Sequence, residues 1–150
     1  MDVLSWREVD LGGVVLAGFA GGYTMALVGL WAGRLPGLAA IDIADFGRRY
    51  MVSDRPSAWL LGLLSHLANS FLLVLLFATV IDPNLDWPRW LEGLVWGEVL
   101  AVALAGALVA PLSGQGFMGM RTRNLRFAAT NVLMHGVWGL LVGLVYTGPR

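Results

Sequence analysis

Four unbroken apolar segments, at about 11–33, 57–81, 91–112 and 126–147, take up most of this 150-residue chain. A hydrocarbon core about 30 Å thick is crossed by about 20 helical residues at about 1.5 Å each, so every one of the four is long enough to span. With no water to bond exposed N–H and C=O groups, a spanning segment must be a helix or part of a closed barrel. Continuous apolar runs without strict alternation are helices. The predicted fold is therefore an all-α membrane protein: four transmembrane helices in an up-down bundle. The chain is 57% hydrophobic and 13% charged, with a mean hydropathy of +0.71, beyond the range of ordinary soluble domains. The connections are too short for a soluble catalytic unit, so residues 1–150 read as a single integral membrane domain without independent catalytic activity. Met1 to Asp10 carry more acid than base and lack the basic region and cleavage site of a signal peptide, which predicts that the first span is retained.

The net charge is zero, but the cations are not evenly spread. The 34–56 and 113–126 connections hold Arg34, Arg48, Arg49, Arg55, Arg121, Arg123 and Arg126; the opposite side holds Arg7, Arg89 and Arg150. Seven cations against three place the first group in the cytoplasm by the positive-inside rule. The expected location is a bacterial inner membrane, multi-pass, with both termini outside the cytoplasm. The bacterial source is suggested by the use of Arg at all ten basic positions. The absence of cysteine excludes disulfides, thiolate metal sites and thiol catalysis. The expected partners are the lipid bilayer and other membrane subunits or a second copy, with no nucleic acid.

The first span is rich in Gly and Ala, including Gly18, Gly21, Gly22 and Ala26. Small residues let helix backbones approach closely where lipid removes the hydrophobic drive, so this helix is expected to be packed against others. Trp6, Trp31, Trp59, Trp87 and Trp90 mark span ends, as interfacial aromatics do. After the Pro36-Gly37 turn, Ala39, Ile43, Phe46 and Tyr50 fall at helical spacing opposite Asp42, Asp45 and Arg49. That pattern predicts a short interfacial helix over 38–51. The glycines at 114, 116 and 119 form a connection and not a phosphate loop, because no Gly-Lys-Ser or Gly-Lys-Thr follows.

The chain has two histidines, His66 and His135, each about nine residues into a span that starts from the same side. At about 1.5 Å per residue both rings lie about 14 Å deep. An ionisable group at that depth is a functional-site candidate. In an up-down bundle the second and fourth helices are diagonal, so two inward imidazoles could ligate the iron of a b-type haem, with Gly62, Gly136 and Gly139 relieving contact with the porphyrin. The alternatives are a quinone, proton or ion site, and hydrogen bonding of each ring within the bundle to Asn69, Ser70 or Asn131. Two histidines without a third ligand are too few for catalytic zinc. Glu98, about 10 Å into the third span from the outer side, is either a proton-relay group or packs against Thr24 or Tyr23. Asn69 and Asn131 extend the polar path.

With His66 laid on His135, Leu64 meets Leu133, Leu72 meets Leu141, Leu75 meets Leu144 and Phe77 meets Tyr146. This echo suggests two tandem hairpins related by a pseudo-twofold along the membrane normal. The Gly-rich first helix, Leu-Pro-Gly-Leu-Ala-Ala-Ile-Asp-Ile-Ala at 35–44, Gly-Leu-Leu-Ser-His-Leu at 62–67 and His-Gly-Val-Trp-Gly-Leu-Leu-Val-Gly-Leu-Val-Tyr at 135–146 resemble a family of small bacterial four-helix membrane proteins of unknown function. The resemblance spans nearly the whole chain and implies the fold without an activity. Three roles stay open. They are a subunit or accessory of a larger respiratory or photosynthetic complex, an electron-transfer protein holding haem b or quinone through His66 and His135, and a small transporter or channel with Glu98 in its pathway.

Overall fold

This computed structural model describes residues 3–45 and 55–149. Four helices carry the chain across a membrane-sized slab: α1 (Leu11–Ala32), α2 (Pro56–Asn84), α3 (Arg89–Leu112) and α4 (Leu125–Val145). No strand occurs among the described residues. The bounds follow local chemistry. Pro56 opens α2, where its missing N–H costs nothing, and Pro83 sits in the tight last turn of the same helix. Asn124 caps α4, its side chain accepting from Phe127 N–H at 3.2 Å. Gly37 and Gly114 take positive φ in the turns that follow α1 and α3. We call the side bearing the 34–56 and 113–124 connections the basic face and the opposite side the terminal face.

Neighbours in sequence are neighbours in space. Helix α1 packs on α2 and α4, α4 packs along α3, and α2 meets α3 mainly near their connecting turn. This leaves α2 and α4 diagonal, as expected of an up-down bundle. The small residues of α1 are used on both sides, inside the chain. Gly18 lies against Phe71 and Gly22 against Ser70 and Leu67 of α2, while Gly21 lies against Trp138 of α4. The lipid-facing side of α1 carries Val15, Leu16, Phe19 and Leu30 instead. No free small-residue stripe is left on α1 for another protein.

The closest pairing is a glycine seam between α3 and α4. A Cβ added at Gly139 would run into the Gly93 carbonyl, one at Gly97 into the His135 carbonyl, and one at Gly143 into the Arg89 carbonyl. The spacings Gly93 to Gly97 and Gly139 to Gly143 are the small-xxx-small pattern that lets backbones touch. This corrects the role expected of Gly136 and Gly139. Gly139 is filled by the backbone of α3, and Gly136 lies beneath Glu98 and Leu94, so neither faces an inner chamber.

Two stretches depart from regular α-helix. Phe77–Ile81 near the end of α2 and Ala101–Val109 in α3 are wide π-type turns. Such turns are rare and occur mostly at functional sites. The connection after α1 departs from expectation too. Residues 38–42 carry no regular secondary structure and helix begins only at Ile43–Asp45; residues 46–54, with the remainder of the expected interfacial helix and Arg48 and Arg49, lie outside the described residues. The reason is tertiary. Ile41 N–H donates to Gly29 O at 2.9 Å and Ala39 N–H to Thr130 Oγ1 at 2.9 Å, so this strap finds its partners in α1 and α4 and not in a helix of its own. Asp42 accepts from Ala44 N–H at 3.0 Å and Trp59 Nε1–H at 2.9 Å, which ties the strap to α2.

Candidate functional site

A cavity of about 250 Å³ lies in the basic-face half of the bundle, where α2 and α3 do not pair. Its walls are mainly apolar: Met25 from α1, Leu104, Ala105 and Val109 from the wide turn of α3, and Met134 from α4. Into it converge Ser65, His66 and Asn69 of α2 with Asn131 and His135 of α4. Both histidines and both asparagines singled out from sequence are thus brought to one chamber by two diagonal helices.

Different groups bound the chamber at its two ends. On the basic-face side Ile41 and Ile43 of the strap and Phe127 form its floor. Toward the terminal face a polar relay crosses the bundle: Trp138 Nε1–H donates to Ser70 Oγ at 2.7 Å, and Ser70 donates to Gly18 O at 2.8 Å. Trp96 Nε1–H donates to Leu73 O at 3.3 Å and joins α3 to α2 at that level.

The two rings are held differently. His66 Nε2 lies 3.0 Å from Gly22 O on the neighbouring helix, and His135 Nδ1 lies 2.9 Å from Asn131 O on its own. A carbonyl only accepts, so the bonded nitrogen carries the proton in each ring. The lone pair left over is on Nδ1 of His66 and on Nε2 of His135. A backbone bond at Nδ1 that leaves Nε2 free is the usual tautomer of a ligating or hydrogen-bonding imidazole. His66 has the opposite assignment. The sequence points to Asn69, Ser70 or Asn131 as partners within the bundle; Asn131 fills that role through its carbonyl, while His66 turns to Gly22 instead. The Asn131 side chain is committed elsewhere, donating to Ala101 O at 2.9 Å where the wide turn of α3 begins.

Glu98 is not part of this chamber. Its carboxylate lies over Gly136 in the α3–α4 groove, half-buried, with no hydrogen-bond partner among the described residues. Thr24 and Tyr23, the packing partners expected from sequence, sit on α1, which is diagonal to α3.

The terminal face holds a second polar cluster, whose acids look like ordinary loop charge in the sequence. Asp82 and Glu92 are both fully buried. Arg89 grips Asp82 with two bonds, Nε to Oδ1 at 2.8 Å and Nη2 to Oδ2 at 3.1 Å, and also donates to Gly148 O. Glu92 accepts from Trp87 N–H at 3.0 Å. Phe77 and Tyr146 meet edge to face beside this clasp, 6.3 Å between centroids at 83°. These two are paired in the internal echo, but the packing does not follow a twofold along the normal: α1 packs along α4, whereas α2 meets α3 mainly near the connecting turn. The short 85–88 link between two spans is the one signal in the sequence that acids beside it would be drawn inward. The clasp joins the α2–α3 turn to the residues after α4. No group of three or more His, Asp or Glu suited to a metal ion occurs among the described residues.

Among known proteins, no family model matches the chain, and no curated protein and no solved structure is significantly similar to it.

Proposed function

We propose that this multi-pass membrane protein binds the head of a quinone-class molecule in the cavity between α2 and α3. The observation that carries the reading is the convergence of His66, Asn69 and His135 on one apolar chamber between helices long and apolar enough to span a membrane. Ligand sites are apolar hollows with a few placed polar groups, and this chamber has that make-up. The free Nε2 of His135 accepts a hydrogen bond from a hydroxyl of the reduced head, and the Asn69 carboxamide can donate to a carbonyl oxygen of the oxidised one. Haem b is supported less well. The His66 nitrogen that would face a central iron is turned to Gly22, and a cavity of about 250 Å³ falls below even the roughly 300–1,000 Å³ of ordinary small-molecule sites, so a porphyrin would require the helices to part.

Titrating the purified protein with a short-tailed benzoquinone, read by quenching of tryptophan fluorescence, tests this. Saturable quenching is expected, and His135→Ala should weaken it about tenfold, the worth of one bond of about 1.4 kcal/mol. Absence of saturation would remove the quinone reading, and a Soret band in the purified protein would restore haem in its place.

Glu98 supports a second reading, membership of a larger assembly. A carboxylate half-exposed inside a span is costly unless a polar group meets it, and none within the described chain does. A helix from another subunit could supply that group. Mild extraction should then recover a complex that Glu98→Leu dissociates; a monodisperse single chain in both cases would count against it. The transport reading is supported less, because Glu98 and the cavity lie on different sides of α4 and share no polar path.

A further inference from the structure

The cavity is walled by α2 and α3, yet these helices do not pair at its level, and two of its polar lining residues, Ser65 and Asn69, are exposed. They lie about 14 and 20 Å along α2 from Pro56, within the hydrocarbon layer. Being four residues apart, they share one helix face. Neither side chain has a hydrogen-bond partner among the described residues. A hydroxyl and a carboxamide facing hydrocarbon without partners are each unfavourable. Everything else on that side of α2 that faces lipid is apolar: Leu60, Leu61, Leu64, Leu72. Along the bundle axis the cavity is bounded by Ile41, Ile43 and Phe127 on one side, and the Trp138–Ser70–Gly18 hydrogen bonds cross the bundle on the other.

We infer that the cavity opens sideways into the bilayer through the α2–α3 gap, and that its ligand is a lipid-tailed molecule whose polar head enters past Ser65 and Asn69 while its tail stays among the acyl chains. This rests on reading the cavity as a ligand site and adds where the ligand comes from and what it must carry. Ser65 and Asn69 hydrogen-bond the head at the threshold, and the His66 Nδ1 and His135 Nε2 lone pairs receive it further in. A head too polar to partition into lipid would have no route, and one without hydrogen-bonding groups would leave the threshold unmet.

The chain contains no cysteine, so single substitutions Ser65→Cys, Asn69→Cys and, as a lipid-facing control, Leu72→Cys can each carry a nitroxide in liposomes. Collision with dissolved oxygen reports contact with the bilayer, and collision with a water-soluble nickel chelate reports contact with water. Positions 65 and 69 should be accessible to oxygen and not to nickel. Adding a decyl-tailed benzoquinone should lower oxygen accessibility at both and leave position 72 unchanged. In the unlabelled protein, Asn69→Leu should raise the Kd of the same quinone about tenfold, one lost hydrogen bond. Nickel accessibility at 65 or 69 would overturn the inference by placing the mouth in water. Protection from both reagents before any quinone is added would also overturn it, since a second copy of the chain would then cover the mouth. Oxygen accessibility with no quinone binding at all would remove the quinone reading while upholding a lateral mouth occupied by a bilayer lipid.

Discussion

The two sides of α3 pack in opposite ways. Toward α4, Gly93 and Gly97 meet Gly139, Gly143 and the His135 carbonyl so closely that no side chain fits between the backbones. Toward α2, contact is confined to the connecting turn and the Trp96 bond to Leu73, and the basic-face half stands apart around a cavity. In lipid there is no hydrophobic drive to close such a gap, so packing depends on shape and on hydrogen bonds. Small residues seal one side of the helix. On the other side Gly62, Ala105 and Ala110 do not meet across the gap, and polar side chains gather there.

The strongest test of this contrast is at the one point where α2 and α3 are firmly joined. Removing Arg89 would break the two-bond ion pair of the fully buried Asp82, and breaking a buried pair costs about 3–5 kcal/mol. Arg89→Ala should therefore lower the midpoint of detergent-induced unfolding more than any substitution in the seam or around the cavity. If it leaves the midpoint in place, the clasp is not what holds the hairpin.

The seam comes next. Gly139→Leu places a side chain where the Gly93 carbonyl already lies, and overpacking of this kind costs about 1–3 kcal/mol or splays the helices. Ala105→Leu, in the cavity wall, should by comparison fill space and cost less, while blocking ligand binding. Equal destabilisation by the two substitutions would erase the distinction between seam and gap.

Smaller effects are expected of the hydrogen bonds that bound the cavity. Trp96→Phe deletes the bond to Leu73 and should cost about 0.6 kcal/mol, the average for intramembrane bonds. Ser65→Ala removes no bond made within the described chain and should leave stability within about 0.5 kcal/mol of the parent. Thermal unfolding in one detergent can rank both, and a large loss for Ser65→Ala would show that its hydroxyl has a structural partner.

The four spans were legible because continuous apolar length has one reading in a chain of this composition. The meeting of His66 and His135 was legible as well, since equal depth on diagonal helices brings two side chains to one level. What each ring bonds was not, because Gly22 O carries no signal in sequence. The spacing of Ala39, Ile43, Phe46 and Tyr50 suggests helix, yet at 38–42 bonds to Gly29 and Thr130 prevail over that local pattern. Asp82 and Glu92 resemble the acids of any short loop, and their burial follows from Arg89 and Trp87 N–H, which lie near in sequence but become partners only once the turn closes. The seam glycines stand in plain sight at four-residue spacing; Gly139 suits a porphyrin face only where no neighbouring backbone fills the same hollow, and here α3 fills it.

The strap links residues far apart in the chain: Ala39 and Thr130 are separated by 91 positions. A chain is made and inserted from its amino end, so α1, α2 and α3 enter the membrane while the strap still lacks its anchor on α4. The bonds of Ile41 to Gly29 O and of Asp42 to Trp59 need only α1 and α2, but Thr130 can take hold of Ala39, and Phe127 complete the floor, only when α4 arrives. Until that moment the floor lacks Phe127, and a nascent chain halted before α4 would hold three inserted helices without His135 and Asn131. Helix α4 therefore decides when the strap between α1 and α2 gains its full set of bonds.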